Sequence, residues 1–551
     1  MKQIITLLFL SLSVFVKAQP EFFENPILSG FYPDPSICRV EDDYYLVNSS
    51  FEWWPGIPVW HSRDLVNWEQ IGHAIHRKGQ ICSNPNIWAP TIRYFQGKYF
   101  VICTERPGTI FYVTADNPAG PWSDAVYFDI RKNEVSPIDP SLFWDDDGTC
   151  WLASNDRKKS GTSKHWVWIQ KVDMNPVQRN GRMEASFIGE RRHITDGSGV
   201  GADNYAEGPH LFKVDGFYYL MIAEGGTWDN HAVSFLRTND LEKPAEEWEY
   251  CPFNPVLTHR DKESAISATG HADMVETQNG EWWMVHLGVR KQDGKHKLGR
   301  ETFLVPLEWK TDSLGRRWPV ANPNKGNQTL MADRRPKLDW APAEQQGNID
   351  EFENEELGLQ YNFYNEPDDF DWYKIENERL HIKPLAARAT DNGHCAFIAR
   401  RQQHHNFNVE TEILFQPETE AEVAGLMAGI KNTNHMRVEI SKSGGKAQAT
   451  LYLMNGENET EVARENIPET TNYFLRLEAR GWDFQFLVGA KKSEWIKLGN
   501  KQDARIMSSE IAKGFTGSYV GMYTSSNGTP SDNWCQFVFF MYEPVGVSVD
   551  D

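Results

Sequence analysis

Three acidic residues stand in the same kind of frame, each at a proline break that opens a short apolar strand. They are found in Asp34-Pro35-Ser36-Ile37, Asp139-Pro140-Ser141-Leu142 and Glu207-Gly208-Pro209-His210-Leu211. Each strand runs through a turn into a second strand rich in aromatics. The pairs are Glu41-Asp42-Asp43 before Tyr44-Tyr45-Leu46, Asp145-Asp146-Asp147-Gly148 before Cys150-Trp151-Leu152, and Val214-Asp215-Gly216 before Phe217-Tyr218-Tyr219-Leu220. A single acid at a strand entrance is ordinarily a solvated loop residue. A carboxylate and a carboxyl group held together differ, because one takes a proton and the other gives one to the same bound molecule. Chemistry here therefore turns on whether the chain brings the three acids to one place.

The same frame recurs with other residues at its front. Ala89-Pro90-Thr91-Ile92 leads through Gln96-Gly97 to Tyr99-Phe100-Val101, and His271-Ala272-Asp273-Met274 leads through Asn279-Gly280 to Trp282-Trp283-Met284. Five copies at intervals of roughly 50 to 70 residues match the period of four-stranded propeller blades with some insertions. The pattern predicts a five-bladed β-propeller whose innermost strands line a central channel. Residues at the entrances of those strands then meet at one mouth. Asp34, Asp139 and Glu207 are expected at equivalent positions there, with His271 as a fourth.

Composition narrows the partners. The chain has 551 residues, 40% of them hydrophobic, enough for two domains with sizeable cores. A formal charge of −21 disfavours nucleic acid or an anionic membrane surface, which call for a Lys/Arg excess. Aromatics make up 13% of the chain, with 21 tryptophans, and flat rings beside polar groups suit sugar sites. Phe51, in Ser49-Ser50-Phe51-Glu52-Trp53-Trp54, and Trp88, in Asn86-Ile87-Trp88-Ala89-Pro90, are placed to face the mouth. Seven scattered cysteines form no framework or CxxC pair and read mostly as buried thiols. Lys2, the apolar run Ile4 to Val16 and Val16-Lys17-Ala18 read as an export signal over residues 1–18, too short to span a bilayer. The mature chain is expected to be soluble, secreted or periplasmic.

Several words together resemble glycoside hydrolase family 43, in its β-xylosidase and α-L-arabinofuranosidase branch. They are Tyr32-Pro33-Asp34-Pro35-Ser36, Val59-Trp60-His61-Ser62-Arg63-Asp64-Leu65, Ile87-Trp88-Ala89-Pro90, Ile138-Asp139-Pro140-Ser141, Ala206-Glu207-Gly208-Pro209 and Leu298-Gly299-Arg300-Glu301-Thr302. The resemblance implies an inverting hydrolase with Asp34 as general base, Glu207 as general acid, and Asp139 orienting the acid and raising its pKa. Inversion requires one ionised carboxylate to activate water and one protonated carboxyl on the other side of the sugar. A negative neighbour helps to keep the second protonated. The resemblance also implies that Arg300 grips the terminal sugar, a task suited to its planar fork, and that His271 lies near the sugar on the propeller axis.

Periodicity of the propeller kind stops after Trp318-Pro319-Val320, so the first domain is set at 19–325 and a polar linker at 326–349. Residues 350–551 alternate with period two, as in Phe474-Leu475-Arg476-Leu477-Glu478, and predict a β-sandwich. The expected fold class is thus all-β, a propeller followed by a jelly-roll sandwich that resembles the concanavalin-like domain of this branch. By that resemblance the sandwich lends an aromatic to the mouth, Phe515 or Tyr519. A mouth narrowed in this way holds one terminal sugar, so cleavage is expected to be exo, releasing β-D-xylose or α-L-arabinofuranose from hemicellulose oligosaccharides. An endo-arabinanase with an open cleft and a non-catalytic sugar-binding propeller are the alternatives. No cofactor is expected to be required; structural calcium in the sandwich and a homo-oligomeric state are left open. Asp145-Asp146-Asp147-Gly148 lacks the later glutamate of a calcium loop and reads as a turn, and His404-His405 has no partner at ligand spacing.

Overall fold

Apolar strands that alternate between two buried faces explain how the repeats assemble. In the computed structural model, residues 19–82, 86–106, 108–130, 136–157, 165–179, 181–198, 205–343 and 347–546 are described. The export signal read over residues 1–18 lies outside the described residues. The first repeat forms Ser36–Val40, Asp43–Val47, Gly56–Ser62 and Glu69–Ile75, paired antiparallel in that order. Ile37, Tyr44 and Leu46 pack with Val275, Trp283, Val285 and Leu304 of the fifth repeat. Their neighbours Cys38, Val47 and Val59 pack with Ile92, Tyr99 and Val101 of the second. Period-two alternation thus sends successive side chains to opposite neighbours, which is why these strands carry apolar residues on both faces.

The other units follow the same order. Trp88–Phe95, Lys98–Arg106, Thr109–Ala115 and Val126–Phe128 form the second, and Pro137–Trp144, Cys150–Arg157, His165–Arg179 and Arg182–Thr195 the third. These two join through parallel pairing of Val126–Phe128 with Met183–Ala185. Glu207–Val214, Phe217–Glu224, Ala232–Thr238 and Glu249–Tyr250 form the fourth, and Ile266–Glu276, Trp282–Arg290, Glu301–Thr311 and Arg317–Ala321 the fifth. Each first strand touches those of the units on either side, and the fifth returns to the first, so the five close a ring. The N-terminal stretch fastens that closure. Leu28 bridges to Thr302, and the Asn25 amide both donates to Leu304 O and accepts from Leu304 N, each at 2.9 Å. The stretch read as a linker is tied to the same place: Ala332–Arg334 pairs antiparallel with Phe22–Glu24.

The second domain is two stacked sheets. One runs through Leu380–Ile382, Cys535–Pro544, Asn406–Leu414, Asn472–Arg480 and Asp483–Gly489, and the other through Lys446–Asn455, Asn434–Ser443, Val423–Lys431, Tyr519–Ser525 and Phe397–Arg401. The alternation read in the sequence is realised: Leu475, Leu477 and Ala479 are buried between the sheets while Arg476 and Glu478 are half-buried on the outer face. Among the described residues α-helix is confined to Ser509–Ala512, and no helix is long and apolar enough to cross a membrane.

The two domains share a sheet. Trp53–Trp54, from the first propeller unit, pairs with Asn362–Tyr364 and becomes an edge strand of the sandwich. The Trp53 ring stacks on Tyr519 with centroids 3.4 Å apart, and both are buried. Further along the seam, Ser518 N donates to Lys297 O at 2.8 Å and Ser509 N to His296 O at 3.0 Å. Backbones meet so closely here that a Cβ on Gly517 would lie 2.4 Å from Leu298 O.

Candidate active site

Two places in each unit reach the same end of the ring. One is the entrance of the first strand. The other is the connection from the second strand to the third, because the second strand runs back: Ser36 pairs with Val47, Ile138 with Asn155, and Glu207 with Ala223. Strand entrances contribute Asp34, Trp88, Asp139 and Glu207, and the bulge within the fifth unit's first strand contributes His271. The returning connections contribute Ser49, Phe51, His165, Thr227, Trp228, His231 and Arg300.

A shared backbone device aims the first set. Asp34, Ala89, Asp139 and Gly208 each precede a proline with φ of 52°, 42°, 51° and 52°, and His271 takes the same place in the fifth unit with φ 45°. In the second to fifth units the strand pairing slips at this point, between Trp88 and Thr91, Ile138 and Ser141, Glu207 and His210, and Gly270 and Ala272. A left-handed residue at a bulge redirects its side chain out of the strand's alternation, at a cost of about 1–2 kcal/mol for a residue with a Cβ. The register also corrects the sequence reading. Glu207 is not equivalent to Asp34 and Asp139 but stands one residue earlier, where the second unit has Trp88. Gly208 takes the left-handed position, and a Cβ there would lie 3.1 Å from the His271 ring.

The three acids differ in their surroundings. Asp34 accepts from Arg300 Nη1 at 2.7 Å and from Ser49 Oγ at 2.6 Å, and lies 3.9 Å from His271 Nδ1. Burial alone would raise its pKa, but Arg300, His271 and Ser49 outweigh it and hold Asp34 below the usual carboxylate range. Asp139 Oδ2 accepts from Gly208 N at 3.2 Å, and from Asn155 at 3.2 Å with that amide turned to face it. Burial, then the charges of Glu207 and Asp34, push Asp139 well above its ordinary value. Glu207 is also pushed up by burial, yet its net shift is downward because His165 Nδ1 lies 2.6 Å from its Oε1. The expected order was a charged Asp139 keeping Glu207 protonated. The two shifts run in opposite directions, Asp139 upward through burial and the neighbouring carboxylates, and Glu207 downward through His165.

Around the acids stand a cation and a wall of rings. Arg300 is buried, spans from Asp34 to within 3.4 Å of Phe515 O, and its Nε has no hydrogen-bond partner among the described residues. Its guanidinium carbon lies 5.4 Å from the Phe51 ring centroid and 5.8 Å from that of Phe515. Trp88, Phe51, Phe515 and Trp228 follow one another with centroids 6.1, 6.3 and 6.0 Å apart. Phe515 therefore reaches the mouth from the sandwich, 46% exposed. Tyr519 does not. It is fully buried behind Phe31, in the stack with Trp53, and supports the wall instead of lining it.

Sequence reading missed His165, Thr227, Trp228 and His231. The Gly225-Gly226-Thr227-Trp228 turn was a usable signal, since paired glycines and an aromatic end a strand that returns to the mouth. His165 had none, being one polar residue before the alternating Trp166-Val167-Trp168. Burial holds His231 near pKa 4 and lowers His271.

Deeper on the axis, Asp273 accepts from Ser36 Oγ at 2.6 Å and from Arg93 Nη1 at 2.7 Å, while Arg93 Nη2 donates to His210 Nδ1 at 2.9 Å. Arg93 thus pairs with the buried Asp273 and holds it below the usual carboxylate range. No group of three or more His, Cys, Asp or Glu side chains among the described residues is gathered as a metal-binding set. The Asp145-Asp146-Asp147-Gly148 segment is a turn closed by Gly148 N donating to Asp145 O at 2.9 Å. All seven cysteines are free thiols, and only Cys82 is exposed.

Comparison with known proteins agrees with this geometry. Residues 23–314 match the profile of "Glycosyl hydrolases family 43" and residues 349–543 that of "Beta xylosidase C-terminal Concanavalin A-like domain". A xylosidase/arabinosidase of Butyrivibrio fibrisolvens is 35% identical over 95% of this chain and 99% of its own length. A non-reducing end α-L-arabinofuranosidase of Bacteroides ovatus is 36% identical over 94% of each. The solved structure of a xylan β-1,4-xylosidase from Bacillus halodurans, 32% identical, superimposes with a TM-score of 0.84 over 95% of this chain and all of that one. With its acids gathered at one mouth and both domains matched in order, the chain belongs to glycoside hydrolase family 43.

Proposed function

We propose that the protein is an exo-acting, inverting hydrolase that releases terminal β-D-xylose or α-L-arabinofuranose from hemicellulose oligosaccharides. One observation carries this reading: Asp34 and Glu207 come from units on either side of the fifth and meet at His271, whose ring lies 3.9 Å from the Asp34 carboxylate and against the Gly208 backbone. Asp34, kept ionised by Arg300, takes a proton from water as the water oxygen bonds to the anomeric carbon. The bond from that carbon to the leaving oxygen breaks, its electron pair stays on the oxygen, and Glu207 delivers the proton there. Asp139 is the neighbouring acid, its pKa raised by burial and then by the charge of Glu207. Arg300, with a buried Nε free of protein partners, and Phe51 offer a fork and a flat face to one sugar ring.

Phe515 and Trp228 add rings to the wall at the mouth from the sandwich and from the fourth unit, which supports cleavage at a chain end and disfavours the endo-acting alternative. The names of the Butyrivibrio and Bacteroides relatives support both sugars and the non-reducing end. Buried, mutually repelling carboxylates give a lectin no advantage, which disfavours a non-catalytic propeller. The chemistry routes through carboxylates and needs no cofactor. The apolar run at residues 4–16 supports export from the cytoplasm.

Aryl β-D-xylopyranoside and aryl α-L-arabinofuranoside, incubated separately with the protein, test the reading. Release of aryl alcohol from at least one is expected, with linear xylan cut only from its ends. Internal cleavage of arabinan with no release from either aryl glycoside would contradict it.

A further inference from the structure

We propose that His165 is a positioning residue for Glu207 and sets the pH above which that residue stops donating a proton, an inference that rests on the acid role proposed for Glu207. His165 opens the third strand of the third unit, a place corresponding to that of Arg300, which immediately precedes the third strand of the fifth. Its Nδ1 lies 2.6 Å from Glu207 Oε1, and its side chain is 4% exposed against 20% for Glu207. The ring stands edge-on to Tyr205, with centroids 5.1 Å apart at 82°. A buried ring packed against Tyr205 on one side and in a 2.6 Å contact with Glu207 on the other limits where the Glu207 carboxyl can point.

The surrounding charges determine the sign. Glu207 is faced by Asp139 from the first strand of the third unit, and by His231 and His271, whose pKa values burial lowers. Arg300 and Asp34 act on the pair through Asp139. His165 is also near Asp156, which burial pushes up to about 7 against the pull of Arg191. An N–H aimed at a carboxylate stabilises its ionised form, so His165 makes Glu207 a stronger acid that is emptied at a lower pH. Without that N–H, burial and Asp139 both favour the protonated form. The donor then stays loaded to higher pH, while being weaker and less well aimed.

The test uses the full-length protein and two β-D-xylosides, with phenol and with dinitrophenol as leaving group. Only the phenyl substrate requires protonation, so in the wild type its kcat/KM alone should fall on the alkaline side as Glu207 empties. In His165→Phe this fall should move up by about one pH unit, with the maximal rate on the phenyl substrate reduced about tenfold and that on the dinitrophenyl substrate little changed. His165→Asn, which retains an N–H near the Nδ1 position, should keep the wild-type profile. If His165→Phe does not fold, His165→Met removes the N–H at similar volume and should show the same displacement. A folded Phe or Met variant whose alkaline fall stays at the wild-type pH overturns the role of His165 and leaves that of Glu207 intact. Identical wild-type profiles for the two leaving groups would overturn the acid role of Glu207, and the inference with it.

Discussion

Arg300 shows how much one side chain is asked to do. It holds Asp34 below the usual carboxylate range, lies against Phe51, reaches the sandwich at Phe515 O and has a buried Nε with no hydrogen-bond partner among the described residues. Lysine keeps the charge but has neither the fork nor the flat face. Arg300→Lys is therefore expected to lose about 10- to 100-fold in kcat/KM, the equivalent of one or two charge-assisted hydrogen bonds, with the fold intact. Loss below threefold in steady-state kinetics would show that the fork is not used. At this scale the sequence was legible where a residue sat in a repeated frame: Asp34 and Asp139 stand out by their Asp-Pro-Ser context, and Glu207 by the proline that follows its glycine. The glycine between Glu207 and its proline already marks the one-residue offset from Asp34 and Asp139, and the strand pairing bears it out. The frame did not reveal His165, whose role comes from a contact between different strands.

At the scale of elements, the mouth is made by hairpins that return to it as much as by the strands that begin there. Searching only for strand entrances recovers the acids and misses Thr227, Trp228 and His231. The sandwich contribution shows a similar limit. Phe515 and Tyr519 lie four residues apart in one aromatic, glycine-rich stretch, and the sequence does not distinguish them. The structure does so through the position of the strand: Tyr519 begins Tyr519–Ser525 and points into the buried stack, whereas Phe515 precedes it in the loop along the seam. That seam depends on glycine at position 517, where a Cβ would meet Leu298 O at 2.4 Å and the Phe31 Cβ at 2.9 Å. Gly517→Ala must move the loop that carries Phe515. The expected result is a several-fold higher KM for an aryl xyloside, with the thermal midpoint lowered by a few degrees, as for a destabilisation of about 1–2 kcal/mol. An unchanged KM would mean that Phe515 does not help to hold the sugar.

For the whole molecule, closure of the ring is what turns distant acids into one site. Asp34 and Glu207 are far apart in the chain, and become neighbours of one histidine because the fifth unit lies between the first and the fourth. The repeats made this arrangement legible in advance, since a closed ring follows from strands that bury both faces. The sharing of a sheet between domains was not legible, because Trp53–Trp54 is too short to read as a strand and its partner lies some three hundred residues away. The account stands on water and proton reaching the sugar from opposite sides, Asp34 serving one and Glu207 the other. Proton NMR of a β-D-xyloside digest, recorded before mutarotation, tests this most directly. Inversion predicts that α-D-xylose appears first and β-D-xylose only later; β-D-xylose as the first product would contradict it.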